Sequence, residues 1–195
     1  LEYSTRFAVR KAKTVIAVSE ATKKDLQKFY HTDENKIVTI PHGYESVENI
    51  PDLSPEVKAK VPEKYALFIS TIQPRKNVIG LIQAFRKLKN ENPDIPHKLV
   101  LAGRIGWRPE ETLAEIEKNK DIVIHLGHVG DNDRWGLLKN ASCYVLPSFY
   151  EGFGMTLLEA FQAGVPVATS NISSMPEVAG DAAEYFDPHN TDEIK

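Results

Sequence analysis

Cysteine is almost missing from these 195 residues: Cys143 is the only one. That excludes an internal disulfide and fits a reducing compartment. Its setting, SCYVLPS, is apolar, so the thiol reads as a buried, inert group rather than a nucleophile. No hydrophobic run approaches the roughly 20 residues that a membrane span requires. No charge of one sign dominates: the net charge is -3, which gives no overall pull toward nucleic acid or an acidic membrane. Repeats, low-complexity tracts and blocks of like charge are lacking. So are GxxxxGKS or GxxxxGKT and GxGxxG, which excludes a P-loop and the ordinary dinucleotide fingerprint. Hydrophobic residues at 42% and charged residues at 26% fit a soluble globular protein. The length suffices for one full domain and a remnant of another. The chain begins at Leu1 without a visible leader and stops at Asp192 to Lys195, where the sequence predicts the start of a helix. A piece of a longer protein is the expectation.

What is present is a regular alternation. TVIAVS (14–19) is a strand rich in β-branched residues, and Ser19 is placed to cap the helix EATKKDLQKFY. KIVTIP (36–41) is a second strand, ended by Pro41, with His42-Gly43 as a turn. Residues 44–64 carry Pro51, Pro55 and Pro62 and read as loop-like. YALFIST (65–71) opens a new pattern as a buried strand. From Asn77 to Asn90, Val78, Leu81, Ile82, Phe85 and Leu88 recur at helical spacing as one apolar stripe. KLVLAG (98–103), DIVIHLG (121–127), CYVLPS (143–148), PVATS (166–170) and AEYFDP are further strands. Helices lie between them: Pro109–Asn119, NDRWGLLKNA capped by Asp131, Phe153–Ala163 ended by Gly164, and MPEVAG. Strands that are apolar throughout, alternating with helices, predict an α/β fold: a Rossmann-like doubly wound parallel sheet covered on both faces. The prolines suggest three parts: residues 1–50 as the remnant of an upstream domain and its connection, 51–64 as linker, and 65–195 as the Rossmann-like domain. One continuous domain without a linker is the alternative.

Ligands of such sheets bind beyond the carboxyl ends of the strands. After 65–71 come Gln73-Pro74-Arg75-Lys76-Asn77. Two cations at a helix N-terminus oppose its macrodipole. Arg75 and Lys76 are therefore either a solvated surface pair or the site of an anion, held by them and by free N–H groups. After 98–103, Gly103-Arg104-Ile105-Gly106-Trp107 is either a glycine turn with a surface tryptophan or a place where Arg104 or Trp107 meets a base or phosphate. His125 and His128 have no carboxylate or cysteine cluster beside them and read as loop histidines, not metal ligands. The segment Phe149 to Met155 is the most informative. Gly152 and Gly154 flank Phe153 at a strand-to-helix turn and leave amides unobstructed for phosphate or sugar oxygens. Glu151 precedes the helix and Glu159 lies eight residues on. At helical rise the two carboxylates stand about 10 Å apart, too far to share a proton but suited to two ends of one extended ligand. Carboxylates accept well from sugar hydroxyls, including a ribose diol. Both glutamates could be plain surface charges. Against that, Leu157, Leu158, Ala160 and Phe161 surround Glu159, where a carboxylate is costly unless paired. Glu177, after 166–170, is assigned to helix capping rather than to a ligand.

Together these stretches resemble the family-four retaining glycosyltransferases of GT-B architecture. The likeness is carried by TIQPRKNVIGLIQAF, LAGRIGW, GHVGDNDRWGLLKNASCYVLPSFYEGFGMTLLEAFQAGVPVATS and SSMPEVAGDAAEYFDP, with the family's E-x7-E signature at Glu151 and Glu159. It covers residues 65–195 and extends more weakly to TVIAVSEATKKDL and VTIPHGYE. The resemblance implies the C-terminal, donor-binding domain. It implies that Arg75 and Lys76 hold the donor diphosphate, that Glu151 contacts the transferred sugar and that Glu159 binds the ribose. Gly152, Phe153, Gly154, Met155 and Thr156 would line the donor, and Gly103 and Arg104 would border the nucleotide. It implies no cofactor and no metal, because fixed cations and helix N-termini stabilise the departing diphosphate. The PRKN form is similar to that of mannosyltransferases, so GDP-mannose is the favoured donor and a glycan or lipid-linked molecule the acceptor. A cytoplasmic enzyme in peripheral contact with the inner membrane face follows, with no nucleic-acid partner. The family's first domain, with its glycine-rich loop and histidine, is not in this sequence, and His42 in the connection is not that histidine. The family's closing helices are also not in the sequence. The chain is therefore expected to bind donor without being a competent enzyme, its own N-terminal domain being the missing partner. A nucleotide-sugar epimerase or phosphorylase-like enzyme of the same fold, and a non-catalytic nucleotide-sugar-binding module, are the competing readings.

Overall fold

The computed structural model describes residues 2–44 and 46–195; Leu1 and Glu45, the last residue of VTIPHGYE, lie outside the described residues. The upstream part contains helix α1 (Glu2–Lys11), strand β1 (Val15–Ala17), helix α2 (Glu20–Tyr30) and strand β2 (Ile37–Thr39). Ser19 caps α2 as its position predicts, its hydroxyl accepting from the Thr22 amide. β1 and β2 pair in parallel and form a small sheet of their own.

The proline-rich stretch 51–64 is more than a loop. Ser54 caps a one-turn helix, α3 (Pro55–Lys58), with proline in the first turn. Leu53, Val57 and Val61 pack against the core of the larger sheet. Ser54 is also anchored from outside: its amide and hydroxyl donate to the two carboxylate oxygens of Asp133, at 2.7 and 3.0 Å. Prolines signal breaks in regular structure, but the apolar residues between them give this segment a side to bury. Asp133→Ala should cost about 1–2 kcal/mol. Limited proteolysis with mass spectrometry should then show faster cleavage near residues 51–58 than in the wild type.

The larger sheet contains β3 (Tyr65–Ile69), β4 (Lys98–Ala102), β5 (Val123–Gly127), β6 (Cys143–Leu146), β7 (Val167–Ser170) and β8 (Glu184–Phe186). All pairings are parallel and the order is β5-β4-β3-β6-β7-β8. This is the expected doubly wound sheet. The chain winds outward from β3 to β5, returns to the other side of β3 for β6, and winds outward again. The helices are α4 (Val78–Glu91), α5 (Glu110–Lys118), α6 (Asp131–Asn140), α7 (Met155–Gln162), α8 (Met175–Ala179) and α9 (Thr191–Ile194).

Strand side chains alternate between two cores. Tyr65, Leu67, Ile69, Tyr144 and Leu146 meet α6, α7 and α8 through Trp135, Leu137, Leu138, Leu157, Ala160 and Met175. Ala66, Phe68 and Val145 meet the predicted α4 stripe of Val78, Leu81, Ile82 and Phe85. Cys143 is half-buried, and burial pushes its thiol up from its ordinary value, as an inert structural thiol requires.

Several boundaries differ from the sequence reading. α7 starts at Met155 rather than Phe153, because Gly154 takes the left-handed capping position at φ 97°. Gly130 precedes α6 as its cap, so Asp131 is the first helical residue instead. Arg75 and Lys76 lie in a separate 3-10 turn, Pro74–Lys76, divided from α4 by Asn77 at φ 52°. Among the described residues no helix is long and apolar enough to cross a membrane.

Candidate functional site

β3 and β6 are neighbours, yet their onward connections run to opposite faces, α4 on one and α7 on the other. The carboxyl ends of the two strands flank the topological switch point, where open α/β sheets bind ligands in a crevice. The two loops that follow these strands are joined. The Phe149 amide donates to the Arg75 carbonyl at 2.9 Å, and the Arg75 guanidinium donates to the Tyr150 carbonyl.

Arg75, Lys76 and Glu151 meet at this switch point. Lys76 Nζ stands 2.5 Å from Glu151 Oε1, and Arg75 Nη1 stands 2.9 Å from Oε2. The Ser148 hydroxyl adds a donor to Oε1 at 2.7 Å. Lys76 and Glu151 are both buried. Burial works to raise the Glu151 carboxyl, but Lys76, Ser148 and Arg75 outweigh it and hold it below the ordinary carboxylate range. Burial also draws Lys76 below the usual lysine value, with Arg75 adding and Glu151 opposing. Of the two directions, the depressed carboxyl is the one the geometry supports, because three donors converge on its two oxygens. The anion that the cation pair called for is thus supplied, in this state, by the chain itself. The resemblance gives the cations to phosphate and Glu151 to sugar; the structure brings all three into one cluster.

The loop behind Glu151 is polarised. Its carbonyls are occupied: Ser173 donates to Glu151 O at 2.7 Å and Ser19 to Gly152 O at 2.7 Å, while the Ser174 hydroxyl lies 3.0 Å from Phe153 O. Thr22 adds a second donor to Gly152 O at 3.1 Å. The amides of Gly152, Phe153 and Gly154 have no acceptor among the described residues. Such a row of donors, leading into the N-terminus of α7, suits anionic or hydroxyl oxygens. Phe153 is buried and meets the His42 ring edge-on, with centroids 5.4 Å apart. Thr156 accepts from the buried Tyr144 hydroxyl at 2.8 Å, so it fixes the start of α7 to the core. Met155 is the first residue of α7.

Glu159 sits on α7, and the pairing that its apolar neighbours demand comes from Arg134 on α6. Its second oxygen, Oε2, is buried and has no partner among the described residues. The sequence reading missed Arg134. The available signal was the costly carboxylate itself, which required a cation on some neighbouring element. Asp131-Asn132-Asp133 has the letters of an Asp-x-Asp metal motif, but Asp133 is committed to Ser54 and Asp131 lies 3.6 Å from Arg134.

Gly103 and Arg104 lie one strand away, beside the loop that carries Arg75. The Ile72 amide donates to the Arg104 carbonyl at 2.8 Å, and Gly103 donates to Gly127 O at 2.7 Å. Arg104 Nη2 lies 3.4 Å from His128 Nε2, and Trp107 is exposed. Among the described residues no three His, Cys, Asp or Glu side chains are gathered for a metal ion. Glu177 does cap a helix, though not its own. Its carboxylate accepts from the amides of Glu20 and Ala21, at 2.9 and 3.2 Å, and so pins the first turn of α2 to the larger sheet's domain.

Comparison with known proteins gives the family and the fold. The family described as "Glycosyl transferases group 1" matches residues 49–195, and "Glycosyltransferase Family 4" matches residues 1–47. O-antigen chain mannosyltransferase B of Escherichia coli is 36% identical, covering 100% of this chain and 52% of its own length. O-antigen chain mannosyltransferase RfbU of Salmonella typhimurium is 31% identical, covering 94% of this chain and 49% of its own. The chain therefore spans about half the length of the curated relatives it matches. Among solved structures, Anabaena Alr3699/HepE in complex with UDP and glucose superposes with a TM-score of 0.81 at 20% identity, over 99% of this chain and 54% of that one. A glycosyltransferase from Rickettsia africae gives 0.76 at 24% identity, over 98% and 54%.

Proposed function

The chain belongs to the glycosyl transferases group 1 family, and from that premise we propose that it is the donor-binding half of a retaining mannosyltransferase using a nucleoside diphosphate sugar. The observation that carries this reading is the meeting, at the switch point, of two cations with a row of amides that lack acceptors among the described residues. A departing diphosphate needs such groups. Fixed charges and dipoles in a crevice that excludes water stabilise the negative charge that develops as the bond from the anomeric carbon to oxygen breaks.

Glu151 pairs with both Arg75 and Lys76 and offsets one of their two charges. A guanidinium has five N–H donors and an ammonium three, so both can take up phosphate oxygens beside the carboxylate. Glu151 then accepts from a hydroxyl of the transferred sugar, and Glu159 from the ribose. Gly103 and Arg104 border the nucleotide, and Met155 and Thr156 close the donor pocket at the head of α7. The E-x7-E segment, the PRKN form and the mannosyltransferase relatives support a GDP-mannose donor. The bound UDP and glucose of the Anabaena protein support nucleotide-sugar binding at this fold. No metal or cofactor takes part in this scheme. The acceptor is a glycan or lipid-linked molecule, held largely by the enzyme's upstream domain, and transfer takes place at the cytoplasmic face of the membrane. Alone, the chain binds donor and transfers little sugar.

Calorimetry on this chain with GDP, UDP and ADP should give the tightest binding with GDP. In the full-length enzyme, Arg75→Ala/Lys76→Ala should abolish transfer of labelled mannose. Absence of binding to all three nucleotides, together with an unimpaired double variant, would sink the diphosphate assignment. Conversion of labelled donor to another nucleotide sugar without acceptor would identify an epimerase instead.

A further inference from the structure

Arg134 lies within a stretch that carries the family likeness but is given no role at the donor by it, yet it is the partner of Glu159. Three features define its place. It is a half-buried residue of the first turn of α6, which packs beside α7. Its guanidinium is shared: Nη1 pairs with Glu159 Oε1, Nη2 stands 3.6 Å from Asp131 Oδ1, and the group lies 5.4 Å from the Trp135 ring centroid. Finally, only one oxygen of Glu159 is satisfied, while Oε2 is buried without a partner among the described residues.

A carboxylate in apolar surroundings that is half-satisfied has spare accepting capacity where water does not reach it. The Glu159 side chain is nevertheless 16% exposed, so the group as a whole is not sealed off from solvent. We propose that Arg134 is the positioning residue of the donor site: it holds Glu159 aligned through one oxygen, so that the other is free to accept from the ribose hydroxyls. This rests on the donor reading given above. Arg134 itself need not touch the nucleotide. Its influence should therefore reach only ligands that carry the hydroxyls Glu159 binds. A purely structural strut between α6 and α7 would show no such discrimination.

The test compares GDP with 2′,3′-dideoxy-GDP, which lacks both ribose hydroxyls, in the full-length protein. Wild type should bind GDP the more tightly. Arg134→Ala should weaken GDP about tenfold, the loss of one charge-assisted interaction, and leave the dideoxy nucleotide within about twofold of wild type. With sugar donor the loss should appear in KM far more than in kcat. Arg134→Lys keeps the charge and should recover part of the affinity; it also serves if the alanine variant fails to fold. Adding Arg134→Ala to Glu159→Gln should cause little further loss of GDP binding, since the arginine acts through the glutamate. Equal weakening of both nucleotides, or no weakening of either, overturns the proposal. A wild-type protein that binds neither nucleotide overturns the donor reading, and this proposal with it.

Discussion

In the full-length enzyme, Lys76→Ala should lower kcat by about 100- to 1,000-fold, the usual cost of removing one fixed stabiliser of developing negative charge. Two effects are combined in that variant. One is chemical: the ammonium that meets the diphosphate is gone. The other is structural: Glu151 is buried, and Lys76 is its nearest partner, at 2.5 Å. Breaking a buried ion pair from one side costs about 3–5 kcal/mol when the remaining charge is stranded. Here Arg75 and Ser148 still reach the carboxylate, so the loss should fall below that range. The two effects separate in a second variant. Lys76→Ala combined with Glu151→Gln removes the stranded charge, so the melting temperature should recover; transfer stays low, since Glu151 is itself assigned to the sugar. Recovery of both would make the lysine a structural counter-ion only. A single variant with wild-type kcat would remove it from the reaction altogether.

The parts of this site that sequence revealed were those that depend on one element at a time. Strands such as YALFI and CYVL are apolar throughout, which requires cover on both faces and hence a parallel sheet between helices. The placement of Arg75, Lys76 and Glu151 after strands follows from that pattern alone. Their pairing does not, because it depends on β3 and β6 being neighbours, which strand apolarity leaves open. Arg134 was hidden for the same reason: its partner is defined by the packing of α6 on α7. Glu177 shows the limit from another side. Its tendency to cap is local chemistry, but the helix it caps begins 157 residues earlier in the chain. In the stretch 51–64 the prolines report backbone conformation, whereas burial of Leu53, Val57 and Val61 is a property of the surface they meet.

The glycines give the last expected result. Gly103→Ala should cost about 3 kcal/mol or more of stability, or prevent folding outright. Gly103 adopts φ +146°, and a Cβ there would stand 1.9 Å from the Ser70 carbonyl oxygen. Neither atom lies on a flexible side chain, so the ends of β3 and β4 would have to part. That separation would pull on the Ile72–Arg104 and Gly103–Gly127 hydrogen bonds and shift the loop carrying Arg75. The resemblance assigns Gly103 to the border of the nucleotide, but the contact that forbids a side chain here is made by the protein's own backbone. Gly152→Ala is the contrasting case. Its Cβ would meet only Val18, at 3.8 Å, so the variant should fold with near wild-type stability. The new methyl would stand beside the amides that have no acceptor among the described residues, and the donor KM should rise. Denaturant unfolding and donor kinetics on the two variants separate the roles. If Gly103→Ala were as stable as wild type, the tight approach of Ser70 would not constrain the fold. If Gly152→Ala bound donor normally, the amide row would not be part of the donor site.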